Sequence, residues 1–205
     1  MNSQVAMMKK ISVSVLSLFI SSIVFCQTFM HGAGVTVLVG SAKGGDVTVA
    51  EGLTYSPRFN FLENETLSVS VGIPITVGIS AAYSTTYYGS GDNYNAGSIG
   101  FVINAPLMIN LNMGRGSTKE NESRYGYFVG AGFGYHHGDF VTIQSDGYND
   151  YNSSKSVNTF GPSANAGFRI GVGSRHRNIE VRFSYMKGVN EDKPNIFGIG
   201  ALFNF

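Results

Sequence analysis

The segment "YHHGD" (135–139) carries the side chains best suited to proton transfer or metal binding. His136, His137 and Asp139 put two imidazoles and a carboxylate close together, and an imidazole near a carboxylate can serve as a general base. Adjacent residues of an extended chain point to opposite faces, however, so the two histidines make a poor pair for one ion. "GAGFG" (130–134) has the glycines of a phosphate loop, but they recur at every second position and no helix follows to receive a phosphate. "SDGYNDYN" (145–152) offers oxygen ligands without the spacing of a calcium loop, and it reads as a solvated segment. Asn64, Asn121 and Asn152 open Asn-x-Ser/Thr triplets to which no role is assigned. No set completes a catalytic constellation. The expectation is a protein that is not an enzyme and has no cofactor and no metal.

The elements that would position such groups are strands. In the 205 residues charge is sparse, at 13%, against about 25% in ordinary soluble domains, and 27 residues are glycine. A net charge of +1 gives no case for nucleic acid. After Gln27 the hydrophobic period is two nearly throughout. In "RNIEVRFSYMKG" (177–188), Ile179, Val181, Phe183 and Tyr185 share one face and Glu180, Arg182, Ser184 and Met186 the other. "GSIGFVINAPLMINLNMG" (97–114) sets Phe101, Ile103, Leu107, Ile109 and Leu111 against Asn104, Asn110 and Asn112. The same alternation runs through 28–40, 47–61, 65–80, 124–137, 159–173 and the C-terminal strand. These make eight strands in succession.

The connections differ. Segments 62–65, 114–123 and 173–178 are fairly short, whereas 83–95, 137–156 and 187–195 are mostly longer and rich in Gly, Asn, Asp and Ser. Segment 41–46 is short and departs from that trend. Short turns at one end and long loops at the other suit an outer-membrane barrel. The interior of an eight-stranded barrel is just wide enough for side chains. The large apolar face would overfill it, so that face is assigned to lipid and the Gly, Ser, Thr and Asn face to the lumen. Arg58, Arg169, Glu180 and Arg182 then fall inside, where buried charges need partners. The expectation is a lumenal ion-pair network with Glu180 shared among arginines; the alternative places these residues at solvated rims. Pro57, Pro74, Pro106 and Pro162 fall inside the strands, so bulges or rim positions are expected there.

Residues 1–26 read as a signal peptide, and 27–205 as the barrel domain. Lys9 and Lys10 precede the apolar "ISVSVLSLFISSIVF" (11–25), which has the length of a signal h-region rather than a span. The alternatives are an uncleaved anchor and lipidation at Cys26, the single cysteine, although bulky Phe25 stands where a lipid-acceptor motif wants a small residue. The sequence finishes on "NIFGIGALFNF", in which Phe197, Ile199, Ala201, Phe203 and Phe205 alternate. This resembles the C-terminal recognition signal of bacterial outer-membrane barrels. Residues 28–205 as a whole resemble the small outer-membrane β-barrel family of the OmpA- and OmpX-like type, in its Bacteroidetes branch.

The resemblance implies an all-β, eight-stranded antiparallel up-and-down transmembrane β-barrel in the bacterial outer membrane, with both termini periplasmic. It implies outer-membrane lipid as its surroundings and the barrel-assembly machinery as a partner, engaged through Phe197, Ile199, Phe203 and Phe205. The expected role is structural or ligand-binding in the cell envelope, through the outer loops. A narrow pore for small solutes, an outer-membrane enzyme using His136 or His137, and a soluble lipocalin-type barrel are the alternatives. No peptidoglycan-binding domain is expected after the last strand. Deleting Phe205 is expected to lower the yield of heat-modifiable, membrane-inserted protein; normal yield would refute the assembly-signal reading.

Overall fold

A computed structural model describes residues 28–41, 47–87, 93–145, 150–173, 176–190 and 193–205. The signal-peptide segment, Cys26 and most of 41–46 lie outside the described residues. Among the described residues nine strands follow in order: β1 (Thr28–Ser41), β2 (Val47–Phe61), β3 (Leu67–Gly72), β4 (Ile75–Tyr87), β5 (Asn93–Gly114), β6 (Tyr125–Ser145), β7 (Asp150–Gly171), β8 (Asn178–Lys187) and β9 (Asn195–Asn204). All pairings are antiparallel, and β9 pairs with β1 to close the sheet. Both β3 and β4 lie between β2 and β5, so the ring has eight positions. The closure leaves no open edge, which is what a sheet in lipid requires.

The interruption between β3 and β4 has a cause in the prolines. Register runs unbroken across it: Tyr55 faces Ile75 and Arg58 faces Gly72, while Thr76 faces Asn104 and Gly72 faces Met108. Pro57 therefore stands opposite Ile73, and Pro74 opposite Pro106. Ile73 N–H donates to the Pro57 carbonyl at 3.2 Å, so Pro74, the next residue, turns its backbone toward β5. At that rung neither partner has an N–H to give. The lost ladder bonds thus coincide on neighbouring strands. Bulges or rim positions were expected here; the continuous registers show no bulge. Pro162 stands where the β7–β8 ladder ends, one residue before the Ser163–Met186 pair. Pro74→Val should restore one donor to the ladder and stabilise the barrel by about 1 kcal/mol in urea titration. An unchanged midpoint would contradict this account of the break.

The faces follow the alternation. Outside are Val35, Leu53, Ile79, Ile109, Val129, Phe183 and Ile199, all exposed. Two aromatic levels flank this band. Tyr125 and Tyr127 lie on β6 near the end that holds the termini, and Phe133 and Tyr135 lie farther along it. Paired rings repeat both levels: Phe29 with Phe59 at 5.0 Å, and Tyr135 with Phe160 and Tyr185 with Phe197 at 4.9 Å each. Girdles at both interfaces mark membrane barrels. Glu51 also lies on this face, across from Val37 and Ile79. It lies ten residues from Phe61, about the length of a transmembrane strand, so it sits at the outer limit of the band, where a carboxylate costs little.

The segments 83–95 and 137–156, read from composition as long loops, are largely strand: β4 continues to Tyr87, β6 to Ser145, and β7 begins at Asp150. These segments are rich in Gly, Asn, Asp and Ser and lack a sustained period-two apolar face, so their sequence looks like a loop. "SDGYNDYN" falls at this turn, with 146–149 outside the described residues.

Candidate functional site: the lumenal charge network and its plug

Arg58 on β2, Arg169 on β7, and Glu180 and Arg182 on β8 all project inward, because each sits at an inner-face position of its alternation. Arg169 and Glu180 are cross-strand neighbours. Arg169 Nε donates to Glu180 Oε2 at 2.7 Å, and Arg182 donates to Oε1 from Nε at 2.9 Å and from Nη2 at 2.5 Å. Arg58 reaches across the lumen from β2, its Nη1 3.3 Å from Oε2. Asn204 Nδ2 adds a bond to Oε2 at 3.2 Å. The carboxylate is fully enclosed, and its two oxygens accept from three guanidiniums and an amide. The rim alternative does not fit this burial.

Several partners of the network were not singled out from sequence. The Phe128 ring faces Arg169 at 4.5 Å and Arg182 at 5.6 Å, so one ring serves two cations. Asn112 Oδ1 accepts from Arg169 Nη1 at 3.0 Å. The larger addition is the turn 115–124, read as a simple connection. It folds back into the mouth of the barrel. Gly116 carbonyl accepts from Arg58 at 3.2 Å and from Arg169 at 3.4 Å, and Ser117 carbonyl accepts from Asn60 Nδ2 at 2.5 Å. Arg115 is buried and donates to the carbonyls of Asn121 at 3.2 Å and Arg177 at 3.3 Å. Gly116 takes φ +75°, and a Cβ there would lie 3.0 Å from Arg169 Cδ. Only a glycine fits that conformation at that distance.

A second closure lies toward the other end. Leu38, Ala50, Val102, Val157, Met186 and Ile196 form one buried apolar cluster inside the barrel. These side chains break the small-and-polar rule assigned to the inner face. Between the two layers, hydroxyls of Thr36, Thr54 and Thr76 link in a chain at 2.6 and 2.8 Å. They border a cavity of about 30 Å³. The lumen is therefore shut by charge and main chain at one level and by aliphatic side chains at another.

His136 and His137 do turn to opposite faces. His136 is buried, its Nδ1 3.3 Å from Asn104 Oδ1, while the outward His137 has Nδ1 2.9 Å from Asn158 Oδ1. Among the described residues no group of three His, Cys, Asp or Glu could hold a metal ion. The side chain of Asp139 lies outside the described residues. At the end of the chain, Phe197, Ile199 and Phe203 face outward on β9. Phe205 N–H donates to the His31 carbonyl at 3.0 Å, and its ring lies 4.3 Å from that of His31.

No family model matches the chain, and no curated protein matches it. Solved structures do. Neisserial surface protein A aligns over 87% of this chain and 97% of its own, with a TM-score of 0.50 and 14% identity. The chain has the fold of the small outer-membrane β-barrels of the OmpA- and OmpX-like type. Ail, the attachment invasion locus protein of Yersinia pestis, in complex with the heparin analogue sucrose octasulfate, also aligns with this barrel. That match has a TM-score of 0.47 and 13% identity, over 87% of this chain and 98% of that one. OprG of Pseudomonas aeruginosa gives 0.44 and 12%, over 86% and 95%. At these identities the likeness concerns the fold of the barrel.

Proposed function

We propose that this chain is an integral protein of the bacterial outer membrane whose lumen is closed and whose role in the envelope is exercised by strand hairpins above the bilayer. The observation that carries this reading is strand length. β5, β6 and β7 have 22, 21 and 22 residues, whereas β8 and β9 have 10 each. A transmembrane strand needs about 9–11. Pairing begins together at the end holding the termini, where Gly114 meets Gly126 and Tyr125 meets Ile170. The excess therefore lies wholly at the other end. At roughly 3.3 Å per residue, ten extra residues carry the hairpins on the order of 30 Å farther along the strand direction. A rigid, closed anchor under two tall ribbons suits structural contact or capture of an extracellular ligand. It does not suit passage of solute, since the lumen is filled at two levels.

The test is genetic and topological. An epitope placed between residues 145 and 150 should be reachable by antibody on intact cells. Cells lacking the chain should become sensitive to detergent, with rescue by the full chain and not by one with β6–β7 shortened by a hairpin deletion from 139 to 156. An epitope reached only after lysis, or equal rescue by both chains, would overturn the reading.

A further inference from the structure

We propose that the chamber above the Glu180 network is a binding site for one small, halide-sized anion held on Arg182. The first observation is charge. Arg58, Arg169 and Arg182 surround a single carboxylate, and Glu180 is the one buried acid among residues whose side chains are described. The network therefore carries two formal positive charges in excess. Buried charge without compensation is costly, and an anion in contact with the network offsets it.

The second observation is geometry. Of the network's members only Arg182 borders the chamber, whose volume is about 30 Å³. A water needs roughly 10–15 Å³ of such space, so the chamber holds one halide or a couple of waters. The third observation is unspent hydrogen-bonding capacity at this level. Arg182 Nη1 is buried without an acceptor. Asn165 also borders the chamber and is buried, its Oδ1 without a partner. Turned about its last bond, that amide presents an N–H₂ donor instead. The chain Thr36–Thr54–Thr76 uses two of its three hydroxyl hydrogens in its two internal bonds, which leaves one for the chamber. A guanidinium, an amide and a hydroxyl bordering one small cavity can recognise a compact anion by charge and size.

The test uses the refolded barrel in lipid vesicles, with urea unfolding read by gel mobility. Ionic strength is held constant while chloride or bromide replaces gluconate. Above its dissociation constant the halide should raise the folded-to-unfolded ratio about tenfold for each tenfold increase in concentration. Arg182→Gln should abolish that dependence. Asn165→Leu, which leaves all four members of the charge network in place and fills the chamber, should abolish it too, and it carries the test if the arginine variant does not fold. Equal midpoints in chloride and gluconate would mean that water fills the chamber, and would overturn the proposal. So would an undiminished halide effect in Asn165→Leu.

Discussion

Glu180→Gln should lower the stability of the folded barrel by about 3–5 kcal/mol, the range for removing one partner of a buried ion pair. The substitution keeps the shape of the side chain and removes its charge. Arg58, Arg169 and Arg182 are then left facing one another, two of them almost wholly enclosed. An amide can still accept hydrogen bonds, but it cannot offset guanidinium charge. Arg182→Gln should cost less than Glu180→Gln, because it removes one of three like charges and leaves the carboxylate paired with Arg58 and Arg169. The two substitutions together should cost less than their sum, since they act on one network. Urea titration of vesicle-bound protein measures all three. A loss below about 1 kcal/mol for Glu180→Gln, the scale of an exposed pair, would mean that the network is solvated.

Gly116→Val should be the second large effect, acting on the plug rather than on the charges. An L-residue in the left-handed region costs about 1–2 kcal/mol, and a β-branched one is a genuine outlier there. The new Cβ would also meet Arg169 Cδ at 3.0 Å and Arg58 Nη2 at 3.3 Å. The segment 115–124 should leave the lumen, taking with it the carbonyls that Arg58, Arg169 and Asn60 bond to. A loss of at least about 2 kcal/mol is expected, with new protease cleavage in this segment. Unchanged stability and protection would mean that the turn does not plug the barrel. Conductance should stay silent in this variant, because the aliphatic layer around Leu38 and Ile196 is untouched.

What the sequence disclosed depended on parity. A strand in a two-faced sheet has one degree of freedom, so the aliphatic residues of β8 placed Glu180 and Arg182 inside as surely as they placed Ile179 and Phe183 outside. Arg58 and Arg169 followed in the same way, and the structure gathers all four. The turn 115–124 was invisible, since a chain folded back on its own carbonyls leaves no period to detect. Gly114 and Gly116, two glycines at positive φ flanking an arginine, were the available signal. Phe128, Leu38 and Ile196 sit at inward positions by parity, but that the interior takes them in layers is shown only by packing. The meeting of Pro74 with Pro106 is a matter of register between strands, which alternation within one strand does not encode. Segments 83–95 and 137–156 carry no sustained apolar alternation, so the strands there left no period to read.

The central claim is that this barrel is closed, and single-channel recording of the full-length folded protein in a planar bilayer tests it most directly. With folding shown by gel mobility, the expected record is silence: Glu180 and its arginines with the 115–124 turn block one level, and the Leu38–Ile196 layer blocks another. A steady conductance proportional to salt concentration would contradict that closure and make the protein a pore.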